Sequence, residues 1–72
     1  MTVYLIKRQH KTSIHEKVVG YALDYDEAET ILGWEQIEVP WRLYDIWIEE
    51  DDFDQCPVWV QNQILKNEIF EQ

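Results

Sequence analysis

The sequence has little of several features on which small proteins often depend. Cys56 is the one cysteine in 72 residues, so no disulfide can form within the chain and a reducing compartment is expected. The chain has two prolines and two glycines. Because the glycines, Gly20 and Gly33, are far apart, a Gly-rich phosphate-binding loop is excluded. No apolar run approaches the roughly 18 residues of a membrane span, and the N-terminus lacks the pattern of a signal peptide. These features predict a single cytoplasmic domain, residues 1–72.

Basic residues are scarce as well. Six Lys and Arg stand against fifteen Asp and Glu, for a net charge of −9. Residues 1–23 carry a net +3 and residues 24–72 a net −12. Such a surface repels nucleic acid and anionic membranes, so neither is expected as a direct partner. It suits a cationic protein, such as one that normally binds nucleic acid. The basic residues near the N-terminus are expected to pair with the protein's own acids or to mark the positive end of an oriented binder: Lys7, Arg8, Lys11 and Lys17.

Aromatic residues are abundant, with four Trp, four Tyr and two Phe. A chain this short buries only roughly 60% of its unfolded surface, so large side chains are needed for its core. Trp47 and Trp59 are predicted to lie mainly in that core. Trp34 and Trp41 flank a polar segment with a proline, and we expect them to be partly exposed.

The first half of the chain predicts a hairpin and a helix. Residues 3–8 and 16–23 are strand-forming, joined by a polar loop over residues 9–15. Gly20 inside the second strand indicates a bulge or a close backbone approach. Asp24, with Glu27 three residues later, forms a capping box, and Asp26 with Glu29 offers the same box two residues on. The helix is expected to end near Gly33 and to present one apolar stripe made of Tyr25, Ala28, Ile31 and Leu32.

The second half predicts a connection, a strand and a second helix. Pro40 makes residues 34–41 a connection, and residues 42–50 alternate as a strand. Pro57 fits the first turn of a helix over residues 58–70, with Asp54, Gln55 or Cys56 as its cap, although residues 58–60 could instead form a short strand. The fold class is therefore α+β, with a three-stranded antiparallel sheet in the order ββαβα.

Both faces of this sheet are predicted to carry apolar groups. One helix between strands covers one face, so the other needs the C-terminal helix, a second copy of the chain, or a target. The apolar residues of the C-terminal helix do not share one stripe, which indicates burial on several sides. We therefore expect a homodimer or a tight hetero-complex, with self-association through Trp59, Leu65, Ile69 and Phe70.

The first half also resembles a known group of proteins. Val3-Tyr4-Leu5-Ile6, then Val18-Val19-Gly20-Tyr21, then Asp24-x-x-Glu27-Ala28-Glu29 is similar to a pattern in small uncharacterised phage and bacterial proteins. The resemblance implies a ββαβ arrangement and an origin in a mobile element. It implies no catalytic residues.

The densest cluster of ionisable side chains is an acidic run near the end of the third strand. Its members are Glu49, Glu50, Asp51, Asp52 and Asp54. Self-repulsion favours an exposed turn, and a solvated turn is the simplest interpretation. The run lacks the alternate ligands and central glycine of a calcium loop. The functional alternative is a binding patch for a basic partner, extended by acids of the first helix and the connection.

Other candidate sites are weaker. His10 and His15 with Cys56 lack the fourth ligand and the paired spacing of a zinc site. A lone cysteine is most often a small buried hydrophobe rather than a nucleophile. No metal, cofactor or catalytic residue is therefore predicted, and a deep pocket for a small molecule is not expected in so small a core.

The sequence predicts a non-enzymatic interaction protein. The preferred hypothesis is a phage-encoded inhibitor that occludes a nucleic-acid-binding host or defence protein. Its carboxylates would stand where phosphates bind, and Trp34 or Trp41 would anchor the contact. The alternative is a self-assembling homodimer module without nucleic-acid mimicry.

Overall fold

The computed structural model describes the backbone of residues 1–71 and the side chains of residues 1–67. The elements are β1 (Thr2–His10), β2 (Lys17–Ala22), α1 (Tyr25–Glu38), β3 (Tyr44–Asp52) and α2 (Val58–Glu71), with a 3-10 turn at Phe53–Gln55. The predicted α+β class, the three-stranded antiparallel sheet and the order ββαβα are confirmed. None of the helices in the described part is long and apolar enough to cross a membrane.

The central strand of the sheet is β1, which is antiparallel to both β2 and β3. The two outer strands are therefore parallel to each other, and α1 is the crossover that joins them. Val3 and Leu5 point to one face and Ile6 to the other, and none of the three is more than 1% exposed. A central strand that is apolar on both faces needs a cover on both sides. The two helices provide these covers.

Helix α1 covers the face that carries Ile6 and Ala22, called here the α1 face. The carboxylate of Asp24 accepts a hydrogen bond from the Glu27 backbone N–H at 2.8 Å, so Asp24 is the N-cap as predicted. Ala28 is fully buried against this face, where its small side chain allows a close approach. The predicted apolar stripe is confirmed, with Ile31 and Leu32 half-buried and Tyr25 half-exposed at its edge.

Gly20 has both features that its position in a strand predicts. The β1–β2 register shifts between Ile6, opposite Gly20, and Lys7, opposite Val18. Val19 is therefore the extra residue of a β-bulge. A Cβ at Gly20 would lie 3.1 Å from the Ile31 Cγ2 atom, so the strand passes α1 where a side chain has almost no room.

The end of α1 differs from the prediction. The helix does not stop near Gly33 but continues to Glu38, and residues 34–38 are helical rather than part of a connection. Gly33 has no positive φ, so it does not adopt the left-handed conformation of a C-terminal glycine. The C-cap is Val39, extended because Pro40 follows it, and its N–H donates to the Glu35 carbonyl at 3.1 Å.

Helix α2 covers the opposite face, called here the α2 face, which carries Val3 and Leu5. Val60 and Ile64 are its buried contacts, together with Cys56 just before the helix. The helix includes residues 58–60, so the short-strand alternative is wrong. Pro57 precedes it, and the Pro57 carbonyl accepts from Val60 N–H at 3.0 Å.

The prediction that the C-terminal helix is buried on several sides is wrong for the described side chains of α2. Val58 is 69% exposed, Trp59 46% and Leu65 48%, so the buried contact is the narrow pair Val60 and Ile64. One helix on a three-stranded sheet meets the sheet along one stripe, which leaves its outer apolar residues in solvent. Trp59 is therefore not the core residue that was predicted, although its ring contacts Tyr21 edge-on at 6.3 Å between centroids.

The third strand is also displaced from its predicted bounds. It spans Tyr44–Asp52 rather than residues 42–50, and Asp51 and Asp52 extend it opposite Val3 and Thr2. The acidic run is therefore strand through Asp52, and the prediction of an exposed turn there is wrong. Backbone pairing with β1 outweighs the repulsion, because the pleat sends successive carboxylates to opposite faces and none needs burial.

Candidate functional site

Carboxylates from two separate segments lie at the end of the sheet where β1 begins and where β2 and β3 end. Tyr4, near the start of β1, pairs with Ala22 on one side and Glu50 on the other. The chain leaves β2 into the first turn of α1 and leaves β3 into the 3-10 turn, so both acidic segments lie at this end. We call these residues the acidic end: Asp24, Asp26, Glu27, Glu50, Asp51, Asp52 and Asp54.

The acidic end has no basic side chain in its own segments. Residues 18–41 and 43–65 contain no Lys or Arg. The ion pairs among the described side chains involve Glu16, Glu35 and Glu49, none of which belongs to the acidic end. The carboxylates there therefore keep their charge facing solvent, where an outside cation can reach them.

Two carboxylates of the acidic end also serve the local backbone. Asp24 caps α1, as described above, and the Asp51 Oδ1 atom accepts from the Asp52 backbone N–H at 3.0 Å. Glu50 and Asp52 are exposed on the α1 face, and no hydrogen bond occupies their side chains in the described part of the chain. An open depression at this end is lined by Thr2, Glu50, Asp51 and Asp52.

Glu49 does not belong with the other acids of the predicted patch. It lies on the α2 face, where its carboxylate accepts from the Lys7 ammonium. Glu16 accepts from the same ammonium at 2.9 Å. Burial disfavours the charged form of Lys7, but the hydrogen bonds to Glu49 and Glu16 outweigh it and raise the pKa of Lys7 above its ordinary value of 10.5. Glu49 therefore neutralises a cation of the protein itself.

This arrangement confirms pairing for two of the N-terminal basic residues. Besides the Lys7 pairs, the Arg8 guanidinium lies 3.8 Å from the Glu35 carboxylate and stacks over the Tyr44 ring. Sequence reasoning did not find that Lys7 is 8% exposed. Its alternation with Val3 and Leu5 on β1 is the signal that points to a covered face.

Trp34 and Trp41 are exposed, at 65% and 68%, as predicted. They are not beside the acidic end. Trp34 lies in the third turn of α1, about 10 Å along the axis from Glu27, and Trp41 follows the helix, at the opposite end of an element that is about 21 Å long. Ile37, 83% exposed, lies near Trp34 on α1 and was not predicted as a surface residue. The Trp41 ring is covered by the Arg42 guanidinium.

The residues predicted for self-association are described in part. Trp59 and Leu65 lie on α2 and are about half exposed, next to the more exposed Val58. The side chains of Ile69 and Phe70 lie outside the described residues. The structure therefore places an exposed apolar strip along the first part of α2, made of Val58 and Leu65, with the half-exposed Trp59 about 100° away round the helix.

Cys56 and the histidines lie apart. Cys56 is 5% exposed beside Val3 and Leu5, whereas His10 is at the far end of β1 with its ring edge-on to Tyr44. The Cys56 thiol donates to the Asp52 carbonyl at 3.3 Å. Burial, helped by the charges of Asp51 and Asp52, raises the pKa of this thiol. No group of three or more His, Cys, Asp or Glu that could hold a metal ion occurs within the described residues.

Comparison with known proteins adds no assignment to this geometry. No family model, curated protein or solved structure matches the chain.

Proposed function

We propose that this is a small non-enzymatic interaction protein whose acidic end binds the basic groove of a nucleic-acid-handling protein and occludes it. The observation that supports the proposal is the location of carboxylates from the start of α1 and the end of β3 at one end of the sheet, with no basic side chain in either segment. Carboxylates held on a rigid sheet and helix present anionic groups at fixed positions, as a nucleic-acid backbone does. Such a surface accelerates encounter with a cationic groove.

The resemblance of the first half to small phage and bacterial proteins supports a phage-encoded inhibitor of a host or defence protein, acting in the host cytoplasm. The placement of the tryptophans changes one part of the mechanism expected from sequence. Because Trp41 follows the C-terminal end of α1, a partner would have to span the length of the helix to touch both it and the acidic end. Trp34 lies two turns after Glu27 on the same side of the helix, about 10 Å along the axis, and so is closer to the acidic end than Trp41 is. The proposal therefore rests on the carboxylates, and Tyr25 is the exposed aromatic beside them.

Two charge-matched variants test the proposal. Glu50→Gln/Asp52→Asn removes two exposed charges from the acidic end, and Glu38→Gln/Asp45→Asn removes two exposed charges from the other end of the molecule. Partners captured from a bacterial lysate with the wild-type protein are tested for nucleic-acid binding, and their affinity for each variant is measured at low and high salt. We expect the acidic-end variant to associate about tenfold or more slowly, the control to associate like wild type, and salt to weaken binding.

Release of nucleic acid from the captured protein on addition of this chain completes the test. Equal binding by the two variants, or a partner that retains its nucleic acid in the complex, would contradict occlusion by the acidic end.

A homodimer module is the second candidate function, because Val58 and Leu65 leave an apolar strip exposed on α2, with Trp59 half-exposed beside it. Two copies of such a module would bind each other through α2, and this self-association would not depend on the acidic end. The mass measurements described in the Discussion separate the two candidates.

A further inference from the structure

β3 is an edge strand, and its free edge can be located from hydrogen bonds on its other side. The Lys11 N–H donates to the Leu43 carbonyl at 2.9 Å, and the Phe53 N–H donates to the Met1 carbonyl at 3.0 Å. These bonds flank an unbroken register between β1 and β3. Because bonded and non-bonded pairs alternate in an antiparallel ladder, the odd-numbered residues of β3 bond to β1 and the even-numbered residues point their N–H and C=O groups outward.

The outward-pointing backbone N–H and C=O groups of β3 are hydrogen-bonded at one residue and not at others. At Asp52 both are occupied, since its N–H donates to Asp51 Oδ1 and its carbonyl accepts from the Cys56 thiol. At Ile46, Ile48 and Glu50, no hydrogen bond within the described part of the chain uses them. We call these three residues the open edge. Unpaired backbone groups in a row form a template for another strand.

The side chains of β3 define which strand would fit. Ile46, Trp47 and Ile48 form an apolar half, and Glu49, Glu50 and Asp51 form an acidic half. A second copy is a poor occupant, because β3 carries five acids and no Lys or Arg. In an antiparallel pair of two such strands the acidic half of each lies opposite the apolar half of the other, so no carboxylate gains a basic partner. A strand with basic residues beside an apolar run complements both halves.

We propose that the open edge binds an extended basic segment of a partner protein as a fourth, antiparallel strand of the sheet. This inference rests on the proposed function, since it specifies how the cationic partner docks. Three basic residues of the segment lie opposite the acidic half of β3: Asp51, Glu50 and Glu49. The next three residues of the segment are apolar and lie opposite the apolar half: Ile48, Trp47 and Ile46. Backbone bonds to the open edge supply affinity, and the two halves of β3 select the sequence.

The probe is a capped peptide of three lysines followed by valine, tyrosine and valine, with its backbone methylated in two alternative ways. The inward-methylated peptide carries N-methyl groups on the residues opposite Glu50, Ile48 and Ile46, which removes the N–H groups that face β3. The outward-methylated peptide carries them on the intervening residues, whose N–H groups face away from β3. The two peptides share composition, charge and degree of methylation, so a difference between them reports strand pairing.

We expect the outward-methylated peptide to bind at least about tenfold more tightly than the inward-methylated one. We also expect it to slow hydrogen exchange at the Ile46, Ile48 and Glu50 amides of the wild-type protein. Equal affinities without such protection would overturn strand addition while leaving binding by charge, and with it the proposed function, intact. Failure of both peptides to bind would overturn strand addition too, and the proposed function would then be judged on the charge-matched variants.

A protein variant gives an independent readout. Glu50→Pro and Glu50→Ala both remove the same charge, but only proline removes the outward N–H, at an edge position where proline is tolerated. With folding of both variants checked by circular dichroism, we expect the proline variant to bind the outward-methylated peptide at least about fivefold more weakly than the alanine variant. Equal binding by two folded variants would contradict the use of this edge. If the proline variant does not fold, the peptide pair decides.

Discussion

Lys7 lies on the α2 face of the central strand, with its ammonium between the carboxylates of Glu49, in β3, and Glu16, just before β2. Because the pKa of Lys7 is raised above its ordinary value, the folded protein holds this proton more tightly than the unfolded chain does. The resulting stabilisation is fully present below the ordinary value of 10.5, and it is lost as pH rises through the pKa of the folded state.

The wild-type protein should therefore lose stability at alkaline pH, in part through Lys7. In Lys7→Met the side-chain volume is nearly kept and the titrating group is gone, so we expect a smaller fall in the free energy of unfolding between neutral pH and about pH 11. Lys17→Met, which removes an exposed lysine, is the control and should fall like wild type. Urea denaturation at each pH measures this. Identical pH profiles for all three proteins would show that Lys7 contributes nothing to the alkaline loss.

Asp24 has a separate role at the start of α1. Asp24→Ala removes the hydrogen bond to the Glu27 N–H and should lower the free energy of unfolding by about 0.5–2 kcal/mol. Asp26→Ala removes the same charge two residues later, inside the helix, where its side chain is not the cap. We expect it to cost less, and chemical denaturation midpoints of the two variants compare them directly. Equal losses would mean that charge near the helix N-terminus, and not the cap bond, carries the effect.

At the scale of elements, the two glycines have different surroundings, because only Gly20 lies in the contact between α1 and the sheet. Gly33 lies inside the helix, and a Cβ there would meet nothing within 4 Å. Gly20 lies in the β-bulge, where a Cβ would meet Ile31. We therefore expect alanine to have opposite effects on stability at the two positions.

Gly33→Ala should raise the free energy of unfolding by about 0.4–1 kcal/mol, because alanine restricts the unfolded chain and has the higher helix propensity. Gly20→Ala should lower it, because Ile31 or the helix must move to admit the new methyl group. Thermal unfolding followed by circular dichroism measures both. Destabilisation by Gly33→Ala would indicate that α1 ends at Gly33, as the sequence alone had predicted.

At the scale of the whole molecule, charge and apolar surface are divided between different parts of the chain. The acidic end lies where β1 begins, whereas Lys7 and Arg8 toward the other end of β1 are paired with the protein's own carboxylates. The exposed part of α2 is apolar at Val58, Trp59 and Leu65. A charged surface and an apolar surface that do not overlap can be disabled independently, which allows each candidate function to be tested alone.

Self-association through α2 predicts a mass that rises above the 8.8 kDa of one chain as concentration increases. Leu65→Glu places a charge in the exposed apolar strip and should return the mass to that of one chain. Gln63→Glu adds the same charge at another exposed position on the helix and should not. Light scattering across a concentration series measures this. A constant mass of one chain for the wild type would remove the homodimer module and leave the binding of a basic partner.

The local patterns of the chain determined much of the fold by themselves. The cap at Asp24, the stripe through Ala28 and the irregularity at Gly20 depend on residues a few positions apart, and each was predicted correctly. The order ββαβα followed from the same short-range signals. Exposure of Trp34 and Trp41 was also readable, because they flank a polar segment.

Tertiary structure decided what depends on residues distant in sequence. Asp51 and Asp52 became strand because β1 supplied backbone partners from the other end of the chain, which no local pattern reports. The same pairing placed Glu49 opposite Leu5 and beside Lys7, and so separated it from the acidic end. The stripe of α2 that is buried was set by the position of Val3 and Leu5, since a helix with apolar residues all round has no preferred side until a sheet face is present.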